Sequence, residues 1–163
     1  MMCVEGGDLK IRVATIKDSG ACVAILRSLP DWFGIPSSID QYAVAITRLP
    51  TLVATAGSSV VGFLTLKFHN ESSAEIYVLA VRGERHRKGI GSQLLQRAEH
   101  VVHDRGCRFL QVKTLGPSHP SLHYARTRQF YLARGFAPLE ELRDIWPGNP
   151  CLVMIKYLGD RVW

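Results

Sequence analysis

Apolar and polar positions alternate along this chain with two periods, and the changes of period mark its elements. Leu9 to Ala14 alternates and reads as a first strand. A helix follows from Thr15, or from Lys17-Asp18, to about Leu29, with Ala21, Ile25 and Leu29 on one face. Pro30 to Pro36 is a turn-rich loop carrying Trp32 and Phe33. Ser37 or Ser38 then caps a second helix, Ile39 to Arg48, ended by Pro50. Thr51–Ala56 and Val60–His69 are β-rich runs separated by Gly57-Ser58-Ser59, a hairpin signal. After a turn at Asn70 to Ser73, Ala74 to Val81 is almost continuously apolar, β-branched or aromatic. That is the pattern of a strand buried on both faces, with its one charge, Glu75, at the start.

Ile90, Leu94, Leu95, Ala98, Val101 and Val102 recur at helical spacing until Gly106. Arg108 to Lys113 is a further strand, parallel to the one before it because a helix crossover separates them. A Gly/Pro loop at 114–122 leads to a short helix, Tyr124 to Arg134, stopped by Gly135. Phe136–Leu142 and Cys151–Leu158 are the last strands, joined by a loop at 143–150. The pattern predicts an α/β chain of about seven strands with helices between them, in which strands two to four form an antiparallel meander and strand five runs parallel to strand four. It forms a single domain over 9–159 behind a flexible leader at 1–8.

Composition narrows the function. A chain of 163 residues is long enough for one domain with a sizeable core, and 47% hydrophobic with 21% charged residues is ordinary for a soluble protein. Twenty Lys and Arg against fourteen Asp and Glu leave a net charge of +6, which favours anionic partners. The basic residues are scattered, without aromatic interleaving or a recognition-helix pattern, which argues against nucleic acid. No long apolar run or signal peptide stands in the chain, so the expectation is a cytoplasmic protein with no membrane partner. Cys3, Cys22, Cys107 and Cys151 lie far apart with no C-x-x-C pair, as expected of reduced thiols, and no Cys/His cluster suggests a metal.

The candidate chemistry sits in the turn Arg82-Gly83-Glu84-Arg85-His86-Arg87-Lys88-Gly89-Ile90-Gly91-Ser92. A helix N-terminus leaves backbone N–H groups without intrahelical partners and carries partial positive charge. Gly89 and Gly91 let a ligand approach the backbone, and Arg85, Arg87 and Lys88 add cationic charge. Together they suit a diphosphate. Neither a Walker loop nor a Rossmann turn fits: Gly83 to Gly89 lacks the G-K-[ST] ending, and Leu94 stands where a third glycine is needed.

The strand, turn and helix resemble the GNAT acetyltransferase superfamily, whose acyl-CoA motif is R/Q-x-x-G-x-G/A. Here it reads His86-Arg87-Lys88-Gly89-Ile90-Gly91, with His86 where Arg or Gln is usual. The family's Y-x-x-x-G-F signature follows in order as Tyr131-Leu132-Ala133-Arg134-Gly135-Phe136. The resemblance runs from about Lys10 to Tyr157. It implies an α/β fold with one central mixed, mostly antiparallel sheet of about seven strands, helices on both faces, and parallel fourth and fifth strands that splay apart. It implies acetyl-CoA as co-substrate and no metal, with pantetheine on the backbone of Leu79, Ala80 and Val81. The pyrophosphate falls to Arg87, Lys88, Gly89, Gly91 and Ser92, with Ile90 inside the motif and His86 at the departing position. The implied activity is N-acetyl transfer to a primary amine of a small molecule or peptide, by direct attack in a ternary complex.

Tyr131 matches the tyrosine that protonates the CoA thiolate; the competing reading is a helix tyrosine packed against strand four. Glu75 matches the acid that serves as general base, often through water, in relatives whose fourth strand also begins A-E-I. A carboxylate on an apolar strand is expected to have a raised pKa, which helps it accept a proton. The competing readings are an exposed strand-end carboxylate, or one that only binds the substrate amine. His69, His119 and His123 are further base candidates, because imidazole changes charge nearest neutrality. His119 and His123 rank first, since they flank a loop that faces the acceptor in the family. The alternative function is a non-catalytic acyl-CoA sensor, against which the intact Tyr131 position speaks. A homodimer is left open.

Overall fold

A computed structural model describes residues 8–160; the predicted flexible leader therefore lies outside the described residues except for Asp8. The elements are β1 (Leu9–Val13), α1 (Ser19–Arg27), α2 (Pro36–Arg48), β2 (Thr51–Ala56), β3 (Ser59–Phe68), β4 (Ser73–Val81), α3 (Ile90–Asp104), β5 (Phe109–Leu115), α4 (Leu122–Ala133), β6 (Ala137–Trp146) and β7 (Asn149–Tyr157). The strands form one seven-stranded sheet in the order β1-β2-β3-β4-β5-β7-β6. β4 and β5 pair in parallel over Ser73–Ile76 and Phe109–Val112, as a helix crossover requires. The neighbouring pairs β1–β2, β2–β3, β5–β7 and β6–β7 are antiparallel. This is the mixed, mostly antiparallel sheet that the family resemblance implies.

The chain divides into two compact units, each built from two stretches. The first takes the chain up to Thr65 and adds Val78–Ala98. Its core holds Cys22, Ile25, Leu26, Leu52, Val53, Phe63, Leu64, Leu94 and Leu95. The start of its first helix is fixed by Asp18, whose carboxylate accepts the Thr15 N–H at 2.7 Å and Arg12 at 2.7 and 2.9 Å. A 3₁₀ turn over Ile16–Asp18 precedes α1 proper. The second helix begins at Pro36, ahead of the predicted Ile39, and neither Ser37 nor Ser38 caps it; Ile35 stands at the N-cap. Proline in a first turn has no N–H to leave unpaired and a φ already helical, so it extends the helix backward. Between β2 and β3 the turn is Gly57-Ser58, with Gly57 at φ +60°.

The second unit takes Leu66–Tyr77 and the chain from Glu99 onward. Leu66, Ala74, Ile76, Val102, Leu110, Val112, Tyr131, Phe136 and Met154 are buried in it. Ser121 caps α4 by accepting the Tyr124 N–H. The predicted loop at 143–150 is mostly strand: β6 runs on to Trp146 and β7 starts at Asn149, leaving a Pro147-Gly148 turn with Gly148 at φ +73°. β6 ends the strand order and is largely exposed, so its outer residues need not be apolar and the pattern fades there.

β4 is buried throughout at Ala74, Glu75 and Ile76, but alternates after that, with Tyr77, Leu79 and Val81 only half-buried. Cys22, Cys107 and Cys151 are free and buried. Burial pushes all three thiols up, Cys22 to about 12. Among the described residues no helix is long and apolar enough to cross a membrane.

Candidate functional site

The predicted site residues fall in two places, one in each unit. In the first unit the chain leaves β4 through Arg82, whose N–H donates to the Val61 carbonyl (2.9 Å) and whose Nε donates to the Val60 carbonyl (3.0 Å). His86 then folds back on the strand: its Nε2 lies 2.7 Å from the Val81 carbonyl oxygen. A carbonyl only accepts, so Nε2 carries the proton. The imidazole also stands edge-on to Trp32, with ring centroids 5.6 Å apart.

Arg87 and Gly89 both have left-handed backbones, at φ +62° and +79°. The two reversals turn the exposed Arg87-Lys88-Gly89 segment across the start of α3. The Gln93 N–H donates to the Gly89 carbonyl (3.1 Å) and closes the first turn. The Ile90 and Gly91 amides precede it, at positions where a helix offers no acceptor. A Cβ on Gly89 would meet nothing within 4 Å, so the need for glycine there is conformational and the space above it is open. Beneath the turn, a Cβ on Gly62 would lie 3.2 Å from the Ala80 carbonyl and the Val81 methyl, and 3.3 Å from Ile90. Gly62 thus lets β3 pass close under the turn. Sequence reading missed it, although an isolated glycine inside a strand run is a recognisable signal of close backbone approach. The side chain of Ile90 is core, not ligand-facing.

In the second unit Glu75 is 5% exposed. Parallel register sets it beside Gln111 on β5, and Lys113 comes two residues later on the same face. Its Oε1 accepts from Lys113 Nζ at 2.9 Å, His69 Nε2 at 2.7 Å and Gln111 Nε2 at 3.1 Å. His69 reaches it because a tight turn follows β3: the His69 N–H donates to the Ser73 carbonyl (3.0 Å), and the Asn70 side chain accepts from the Ser72 and Ser73 amides. Burial pushes the Glu75 carboxyl up, but the Lys113, His69 and Gln111 hydrogen bonds together outweigh it and hold the group below the usual carboxylate range. The expected upward shift is therefore reversed, because the strand is apolar while its neighbours at this position are donors. The exposed strand-end alternative fails as well.

The three candidate histidines lie in different surroundings. His119 uses Nδ1 to accept the Ser121 N–H in its own loop (3.2 Å), and His123 sits in the first turn of α4. His69, ranked below them, is the one bonded to Glu75.

Tyr131 lies near the end of α4, 4% exposed. Its ring is edge-on to Phe130 (5.1 Å) and Phe136 (5.2 Å). Gly135 at φ +90° reverses the chain, and the Phe136 N–H returns to the Tyr131 carbonyl at 3.1 Å. The Y-x-x-x-G-F spacing is the spacing of that helix end. Burial pushes the phenol up, and among the described residues no group hydrogen-bonds its hydroxyl. Glu75 and Tyr131 stand in separate clusters.

Comparison with known proteins follows the same lines. A sequence model of the acetyltransferase (GNAT) family matches residues 22–136. No curated protein sequence matches the chain. A GNAT-family putative acetyltransferase of Desulfovibrio desulfuricans superimposes with a TM-score of 0.82 at 21% identity, covering 93% of this chain and 100% of that one. The ribosomal-protein-S18-alanine N-acetyltransferase of Escherichia coli gives 0.77 at 18% identity, covering 96% and 99%. PaiA N-acetyltransferase of Thermoplasma acidophilum, solved in complex with coenzyme A, gives 0.73 at 20% identity, covering 92% and 99%. These likenesses are of fold.

Proposed function

The chain belongs to the acetyltransferase (GNAT) family, and from that premise we propose that it transfers acetyl from acetyl-CoA to a primary amine of a small molecule or peptide. Direct attack within a ternary complex is the simplest route, since a thioester needs only positioning and proton handling. The observation that carries the reading is the turn before α3. Its paired left-handed residues and open glycine present the first helical amides, with Arg87 and Lys88 beside them, to an anion of diphosphate shape. Gly91 and Ser92 continue that cradle, and Leu79, Ala80 and Val81 offer backbone to the pantetheine arm. A coenzyme A complex of a protein with this fold adds support.

Tyr131 is the donor toward the leaving sulfur. A phenol pushed up by burial stays protonated over the whole working range, so it serves as a hydrogen-bond donor to the thiolate at every pH of interest. The Glu75 cluster handles the proton of the acceptor ammonium. Buried free thiols fit a reducing, cytoplasmic setting.

The test has two readouts on the full chain. CoA should raise the melting temperature. Acetyl-CoA should release thiol in the presence of at least one class in a screen of small amines and peptide N-termini. A CoA-stabilised chain that releases no thiol with any amine is a sensor; a chain that CoA does not stabilise loses the site assignment too.

A further inference from the structure

We infer that His69 is the general base that takes the proton from the acceptor ammonium, and that Glu75 is its positioning residue rather than the base itself. The inference rests on the acetyl-transfer reading above and names the residue that does its proton work.

One oxygen carries the argument. Glu75 Oε1 already receives His69, Gln111 and Lys113. Each donor stabilises the anion, and an anion so stabilised is a poor proton acceptor. Lys113, bonded there as an ammonium, has no lone pair to offer. His69 differs. A carboxylate only accepts, so the ring presents Nε2–H to it and its remaining lone pair lies on Nδ1. Among the described residues no hydrogen bond engages Nδ1, and the side chain is 29% exposed. Gln111 Nε2 lies 3.3 Å from His69 Nε2; with both nitrogens protonated they do not bond to each other, and each donates to Glu75 Oε1 instead. The turn from His69 to Ser73 fixes the backbone beneath.

A ring tied through Nε2–H to a buried carboxylate and with Nδ1 unbonded is oriented to take a proton at Nδ1, with the carboxylate beside it to stabilise the cation that forms. The charged groups facing it are Glu75 on β4 and Lys113 on β5, and the Cys151 thiol on β7 is electrostatically linked to both. That thiol is buried and pushed up, so it stays neutral and does not compete.

In the step, Nδ1 takes one proton from R–NH₃⁺. The freed lone pair forms the C–N bond to the thioester carbonyl, and the nitrogen loses its second proton to solvent. The C–S bond breaks with its electron pair on sulfur, which takes up a proton from solvent while Tyr131 donates a hydrogen bond to it. The imidazolium returns its proton to solvent. One amide, one CoA thiol and one net proton result.

The experiment is the pH dependence of kcat/KM on the full chain, with the amine that answers best in the thiol-release screen. His69→Ala should lower the rate at neutral pH by on the order of a hundred- to ten-thousandfold. It should also abolish the acid limb of the wild-type profile and regain activity when free imidazole is added. The melting-temperature rise with CoA should persist. His69→Asn keeps a donor toward Glu75 but has no basic nitrogen, so it should lose the limb as well, and it carries the test if the alanine variant folds poorly. Glu75→Gln should retain the limb, because the basic nitrogen of His69 remains, and should lower the rate by less than His69→Ala. A wild-type acid limb in both His69 variants, or a limb lost in Glu75→Gln with no imidazole rescue of His69→Ala, would make Glu75 the base and overturn the inference. A wild-type chain that binds CoA yet acetylates nothing would instead end the transfer reading, and this inference with it.

Discussion

At the scale of single residues, the site is a set of hydrogen bonds whose loss can be read separately. His86 holds the turn to the Val81 carbonyl with one bond of 2.7 Å. Such a bond contributes about 1 kcal/mol, so His86→Ala should weaken CoA binding roughly fivefold, measured by calorimetry. Arg87→Glu reverses a charge beside the proposed diphosphate site and should cost more. Gly91→Val should abolish the CoA-dependent rise in melting temperature while leaving the apo transition in place. Tyr131→Phe keeps the ring between Phe130 and Phe136 but removes the donor. Its kcat should fall roughly ten- to a thousandfold with CoA affinity unchanged. Since burial keeps the wild-type phenol protonated, that variant should leave the alkaline side of the rate profile where it was. An unaltered kcat under conditions where chemistry limits the rate would return Tyr131 to a packing role.

At the scale of elements, the first helix offers a stability test. Asp18 is held down to about 2, first by the Arg12 hydrogen bonds and then by Thr15. A carboxyl whose folded value is depressed stabilises the fold above its unfolded value near 4 and loses that contribution as pH falls through the folded one. Asp18→Asn should therefore melt lower than wild type at pH 7, and the gap should close between about pH 4 and pH 2. The same comparison bears on what a sequence discloses. β4, its turn and α3 were legible because a buried strand, a glycine-rich turn and an amphipathic helix each leave a local pattern. The β2–β3 hairpin was legible through Gly57. The start of α2 was misplaced because two serines look like caps while Pro36 sits inside the first turn. The length of β6 was hidden by exposure, which removes the hydrophobic alternation. The shift of Glu75 was misread for a different reason. Its donors Gln111 and Lys113 arrive through parallel register with a strand far along the chain, and no local pattern records that pairing. The contact of His69 with Glu75 was likewise hidden, because it depends on how the Asn70 turn folds back.

At the scale of the whole molecule, the net charge of +6 favours a polyanionic co-substrate. Affinity for CoA should fall as salt rises, because Arg87 and Lys88 are exposed and screened. Each compact unit draws on two separated stretches, and β3, β4 and α3 pass from one unit into the other. No single cut yields a complete unit. A chain ended at Ala98 should show no cooperative thermal transition by circular dichroism, as it keeps Leu66–Tyr77 without the stretch from Glu99 that completes their unit. The three buried cysteines carry a practical consequence of a different kind. Thiolate, not thiol, attacks disulfide reagents, and Cys22, Cys107 and Cys151 are both shielded and held as thiols. During turnover these three thiols stay silent, so the colour that a thiol-trapping dye gains over a blank without amine counts product molecules.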